Sequence, residues 1–144
     1  MASDRGARVS AFCFALFFGL VVALGYIPGL NAPLHQHQGS ESGEHLLLGQ
    51  YRISLLDDVT HGLTALLLLV ASLHSARMSR LALTAFGWYY AVDAVIYLVT
   101  GVLQRDPLVS NVLLNLPHVV LSTVMLLIAY RGRPAAIRIE APAS

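Results

Sequence analysis

LLDDVTHGLTALLLLVASLH, residues 55–74, is a stretch in which a polar first turn leads into the unbroken apolar run Leu66-Leu67-Leu68-Leu69-Val70. A helix rises about 1.5 Å per residue, so about twenty residues match the hydrocarbon thickness of a bilayer. Backbone groups in lipid find no water and must pair with one another, which makes a helix the sensible reading of such a run. Working outward, Ser10 to Leu30, Leu81 to Leu103 and Val109 to Tyr130 read the same way. The expected fold is therefore all-α: a polytopic membrane four-helix bundle in one domain over residues 10–130. Its helices fall at about 10–30, 55–74, 81–103 and 109–130. Residues 1–9 precede the bundle, an outer loop covers 31–54, and residues 131–144 are expected to be a disordered tail.

Composition supports the same class. Of 144 residues, 56% are hydrophobic and 12% charged, with a mean hydropathy of +0.67. A domain whose surface faces water carries roughly a quarter of its residues charged, so most of this surface faces lipid. The net charge is +1, and every basic residue is Arg. An Arg-only, Ala/Leu-rich composition hints at a GC-rich bacterial genome. No dense basic run appears, which excludes nucleic-acid binding. Cys13 is the sole cysteine; inside the first apolar stretch it reads as a small buried hydrophobe. Arg5 and Arg8 before an apolar run also suit a cleaved signal peptide. The run is long for one, however, and no small-x-small site follows between Tyr26 and Pro33, so a retained span is preferred.

Orientation follows from arginine placement. With the N-terminus cytoplasmic, Arg5, Arg8, Arg77, Arg80, Arg131, Arg133 and Arg138 lie inside, while Arg52 and Arg105 lie outside. Both termini are expected in the cytoplasm. The short connections Ser75 to Arg80 and Gln104 to Leu108 make helices two to four antiparallel neighbours. The polar segment Asn31 to Gly49, with His35, His37, Glu41, Glu44 and His45, is then outside. His74, at the opposite end of helix two, reads as a solvated C-terminal residue.

In lipid, small residues one turn apart mark faces where helices approach closely. Helix one offers Ala11, Ala15, Gly19 and Ala23 as a packing seam, and helix three offers Gly87 and Ala91. The seam serves either the bundle or contact with other membrane subunits or a second copy of the chain.

Two units repeat. Asp58-Val59-Thr60-His61 opens one apolar run and Asn115-Leu116-Pro117-His118 opens another, at identical spacing. This suggests two repeated helical hairpins, helices one–two and three–four. The plain reading makes Asp58 and Asn115 N-caps, with the histidines completing the caps and Pro117 in a first turn. The sharper reading starts from Asp93, roughly 15 Å from the outer end of helix three by helical rise, a costly depth for a carboxylate. Tyr90 and Tyr97 share its face and could satisfy it. Asn111, Asn115, His118 and Ser122 form a polar stripe on helix four, and helix two adds Asp57, His61 and Thr64. A candidate outer-leaflet ligand pocket thus comprises His61, His118, Asp93, Asp58, Asn115, Tyr90 and Tyr97. A metal ion, a haem held between His61 and His118, or a quinone, lipid headgroup or small solute could occupy it, and a hydrogen-bonded core that fixes helix register needs no occupant.

The stretches Gly25-Tyr26-Ile27-Pro28-Gly29-Leu30, Glu44-His45-Leu46-Leu47-Leu48-Gly49, Ile53 to His61 and Asn115-x-x-His118 together resemble a family of small bacterial four-helix membrane proteins. That family is catalogued as a domain of unknown function, and the resemblance runs from about Gly25 to Tyr130. In the family, the second helix opens with His-Asn-x-x-His-Leu and the fourth carries Asp-Asn-x-x-His. Here those positions read Asp57-Asp58-Val59-Thr60-His61-Gly62 and Leu114-Asn115-Leu116-Pro117-His118. The resemblance implies the four-crossing topology, the paired histidines and placement in a bacterial plasma membrane; it implies no activity. From the residues, the expected role is a non-enzymatic membrane component or accessory subunit, with a binding or transport-type protein using the His/Asp pocket as the alternative. An enzyme ranks third, because no nucleophile or oxyanion donor converges on the histidines.

Overall fold

Two serines decide where two of the four helices begin. The computed structural model describes residues 2–27, 31–33, 45–47 and 51–131. Its helices are α1 (Ala2–Gly25), α2 (Leu55–His74), α3 (Ala76–Leu103) and α4 (Leu108–Arg131). Ser54 is the N-cap of α2: its hydroxyl accepts from the Asp57 N–H, while the Asp57 carboxylate accepts from the Ser54 N–H at 2.9 Å. This reciprocal pairing satisfies two of the amides that a helix start leaves open. It replaces Asp58 as the expected cap. Ser75 is an extended residue that ends α2 and caps α3, its hydroxyl accepting from Met78 N–H. The connection expected to run from Ser75 to Arg80 is thus one residue long, and Arg77 and Arg80 belong to the start of α3.

The helices differ from expectation at other ends too. Helix α1 starts at Ala2 rather than Ser10 and stops at Gly25, before Pro28-Gly29. Its last turn tightens, with Tyr26 and Ile27 donating to the carbonyls three residues back. Helix α3 closes by donation from Asp106 N–H to Gly101 O and from Arg105 N–H to Val102 O, a Schellman arrangement with Arg105 left-handed at φ 62°. The expected outer loop is more than loop: β1 (Asn31–Pro33), β2 (His45–Leu47) and β3 (Tyr51–Ile53) pair antiparallel in that order. His35, His37, Glu41, Glu44 and the tail beyond Arg131 lie outside the described residues.

Among the described residues the protein is an all-α four-helix bundle with this small three-stranded ribbon at one end. All four helices are long and apolar enough to cross a membrane. Helix α1 packs most closely on α2, and α3 on α4, so the bundle is two tight pairs meeting along a thinner interface. Its core gathers Ala11, Ala15, Phe18, Leu68, Leu83, Tyr90, Met125 and Ala129. Outside that core, each helix turns large apolar side chains outward, such as Leu16, Leu66, Val95 and Leu127. An apolar surface of this extent wants lipid or protein against it.

The α1 seam is shorter than expected. Ala7, Ala11 and Ala15 are buried, but Gly19 and Ala23 are exposed, and nothing lies near a Cβ built on Gly19. Steps of four residues advance about 40° beyond a full turn, so an i, i+4 row drifts off a straight contact face. The buried line corrects itself with a three-residue step, from Ala15 to Phe18. In α3, Gly87 sits against Leu126 and Met125 of α4 so closely that a side chain there would displace Leu126.

Candidate functional site

The site lies at the end of the bundle where α2 begins, α3 ends and α4 begins. A cleft of about 510 Å³ is lined there by Asp57 and His61 of α2, Tyr97 and Gly101 of α3, and Asn111, Asn115 and His118 of α4, with Asp106 in the α3–α4 turn.

Neither histidine is a cap. His61 sits in the second turn of α2, and His118 is ten residues past Leu108, where α4 begins. Asn115 and Pro117 are likewise inside α4 rather than at its start. The cap reading of the repeat therefore fails at both units, and the two imidazoles need another account.

Rings position them. Phe18, fully buried on α1, stacks on His61 at 5.6 Å and on Tyr90 at 5.0 Å between centroids. Tyr90 in turn lies nearly parallel to both histidines, 6.1 Å from His61 and 5.7 Å from His118. Tyr97 lies within 3° of parallel to His118, at 6.1 Å. Offset packing of this kind locks ring orientation in addition to burying area. The Tyr90 hydroxyl pairs with Thr64 Oγ1 at 3.1 Å, joining α3 to α2. It does not serve Asp93, as had been expected. Asp93 faces His118 instead, with Oδ2 3.6 Å from Nε2. That gap is too long for a hydrogen bond and suits a shared water or a small closing movement.

The histidines carry an open valence. Nδ1 of His61 and Nδ1 of His118 are both buried, and neither has a hydrogen-bond partner among the described residues. The Asp57 backbone, one turn before His61, acts on its ring as a hydrogen-bonding group while falling short of full hydrogen-bond geometry. Buried polar atoms are rarely left so.

Asn115 is fully engaged on its donor side, and Asn111 is engaged by one of its two amide protons. Asn111 Nδ2 donates to Leu98 O on α3 at 3.0 Å, and Asn115 Nδ2 donates to Asn111 O and Oδ1 at 2.8 and 2.9 Å. Gly101 makes the first of these possible, because a Cβ there would overlap the Asn111 side chain. Ser122, next on the same stripe, bonds the Val119 carbonyl.

Asp58 departs from the expected set. It is buried but turned toward the end of α1, where the Tyr26 hydroxyl donates to its Oδ2 at 3.2 Å. That carboxylate raises the Tyr26 pKa above the ordinary tyrosine value, by its charge first and by the hydrogen bond second. Asp57 takes its place in the cleft wall. Of the seven residues expected in one pocket, His61, His118, Asn115 and Tyr97 line the cleft. Tyr90 supports the two imidazoles from behind, Asp93 backs His118, and Asp58 lies elsewhere. Phe18 and Gly101 were missed. The signal for Phe18 was its place three residues after Ala15; for Gly101, a glycine facing an amide stripe.

Among the described residues no three His, Cys, Asp or Glu side chains converge closely enough to hold a metal ion. A metal ion, one of the occupants weighed from the sequence, has no such set here in His61, His118 and a carboxylate.

The family model for a domain of unknown function, DUF4383, matches residues 8–131, which takes in α1 from its second turn, the whole of α2, α3 and α4, and every residue of the cleft. The chain belongs to the DUF4383 family. No curated protein and no solved structure matches it. In this DUF4383 protein the cleft walls come from α2, α3 and α4, with Ile53 of β3 beside them.

Proposed function

We propose that this protein is a multi-pass component of a bacterial plasma membrane, with both termini cytoplasmic, that binds a small solute in the cleft between α2, α3 and α4 without acting on it chemically. The observation that carries the binding reading is the pair of buried Nδ1 atoms on His61 and His118, without a hydrogen-bond partner among the described residues, on two histidines that line an open cleft. A bundle that needed polar groups only to fix helix register would pair them, because each unpaired group in an apolar interior costs on the order of 1–3 kcal/mol. This favours the binding reading over a purely accessory membrane component.

The apolar exterior and the four spanning-length helices support the membrane setting. Arg5, Arg8, Arg77, Arg80 and Arg131 gather toward the ends remote from the cleft, and by the positive-inside bias that end is cytoplasmic. The cleft then opens to the outer leaflet. The close packing of α1 on α2 and α3 on α4 suits a duplicated hairpin, with His61 and His118 as its corresponding residues.

One purification tests the reading. The full-length protein should remain in the membrane pellet after alkaline carbonate washing. In mild detergent, a ligand carried through purification should be detectable by mass spectrometry, metal analysis or absorbance, and be lost in His118→Ala. Protein that washes off the membrane would overturn the setting. A Soret band lost in both His61→Ala and His118→Ala would replace the solute with haem.

A further inference from the structure

The end of the bundle remote from the His/Asp cleft carries a groove of its own. About 650 Å³ in volume, it lies where α1 begins and α2 ends, with Ser75 and the first residue of α3 completing its wall. What it can hold follows from the sign of that wall and from what lies inward of the charges.

Two helix dipoles meet here. The negative end of α2 and the positive start of α3 are separated by Ser75 alone, so they largely offset one another and side chains set the sign. Among the described residues Asp4 is the only acid in the lining, and Arg80 pairs with it at 2.6 Å. Arg8 donates through Nε and Nη2 to the Ser72 and Leu73 carbonyls, and its Nη1 has no partner among the described residues. Arg5, one turn earlier on the same face of α1, is exposed and makes no hydrogen bond or ion pair among the described residues. The groove therefore presents one unpaired guanidinium and part of another.

Inward of the arginines the lining turns apolar. Arg5, Arg8 and Phe12 follow one another at i, i+3 and i+7, with Val9 beside them and Leu73 contributed by α2. Val9, Phe12 and Leu73 are all exposed, and Leu16 and Leu20 continue the exposed row on α1. By helical rise Leu20 lies about 12 Å beyond Phe12. A small soluble anion would meet the arginines and leave this row bare, whereas an apolar peptide would leave the arginines unmet. A zwitterionic lipid would bring its own ammonium against them. We propose that the groove holds an anionic phospholipid, its phosphate on Arg5 and Arg8 and an acyl chain along Val9, Phe12 and Leu73. The proposal rests on the membrane setting above and is independent of what the His/Asp cleft binds.

Retained lipid tests it. The full-length protein is incubated in mixed micelles with equal amounts of dioleoyl phosphatidylglycerol and dioleoyl phosphatidylcholine, repurified by gel filtration, and its bound lipid measured by mass spectrometry. Phosphatidylglycerol should be retained about fivefold or more over phosphatidylcholine, and Arg5→Gln should lower that preference about threefold or more. Arg131→Gln removes the same charge from the same end but outside the groove, and should leave the preference unchanged. Arg5 and Arg131 are both exposed, and circular dichroism checks that each variant folds. Millimolar inorganic phosphate should not displace the lipid. Equal retention of the two lipids, or equal loss in Arg5→Gln and Arg131→Gln, would overturn the proposal in favour of diffuse attraction to a basic surface. Displacement by phosphate would overturn it in favour of a small-anion site. A protein that resists carbonate washing yet retains both lipids equally would lose this inference and keep its membrane setting.

Discussion

The two ends of the bundle use polar side chains in opposite ways. At the arginine end they close the structure. Arg8 of α1 donates to the Ser72 and Leu73 carbonyls at 2.8 and 3.2 Å, covering groups that the C-terminus of α2 leaves open. Arg80 pairs with Asp4 at 2.6 Å, and the Ser79 hydroxyl bonds the Ala71 and Ser75 carbonyls. At the cleft end, amide donors are drawn into the α3–α4 contact, while Asp57 and Asp106 line a cavity and an Nδ1 atom of each lining histidine stays buried with no partner among the described residues. One end is assembled for holding helices together. The other holds its helices together and still leaves polar valence open, which is the pattern expected where a ligand completes the structure.

That contrast can be broken. The largest effect is expected at the cleft end, where Gly101→Val forces a side chain into Asn111 and severs its bond to α3. Overpacking and the lost bond should destabilise the protein by about 3 kcal/mol, read by thermal or SDS unfolding in detergent micelles. At the arginine end, Arg8→Met keeps an apolar stem but uncovers the two carbonyls, and a cost of about 1 kcal/mol is expected by the same unfolding measurement. A comparable change of opposite sign is expected for Arg105→Gly, which removes a left-handed non-glycine residue: a gain of about 1 kcal/mol. The smallest effect belongs to Asp4→Asn. Asp4 itself is well exposed to solvent, so the loss should stay below about 0.5 kcal/mol and shrink as salt is added. If Asp4→Asn cost more than Gly101→Val, the arginine end would be the critical contact and the contrast would be reversed.

How much of this could be read from residues alone depends on which signal each feature uses. The four helices were legible because an apolar run of spanning length has few alternatives in lipid. Boundaries were less so. Asp58 looks like a cap by residue type, but Ser54 with an acid three residues later is the stronger signal, and Asp57 was the residue to notice. Asn115 could not have capped a helix that already began near Val109, and the structure puts both it and His118 well inside α4. The histidine pair and its asparagine neighbour were legible as a spacing. What the spacing could not convey is that Tyr90 and Phe18 bring the two imidazoles against one set of rings. Nor does a sequence reveal where an amide points, so the engagement of Asn111 with a carbonyl on α3 had no trace in it.

Ser75 carries a consequence for how the chain enters a bilayer. As the whole connection between α2 and α3, it allows at most about 3.6 Å of extended chain between two helix ends. The end of α2 and the start of α3 therefore stay at one level, whatever surrounds them. In the proposed membrane setting the pair moves as one hairpin hinged at Ser75, and Asp93 rides on it toward His118 of α4.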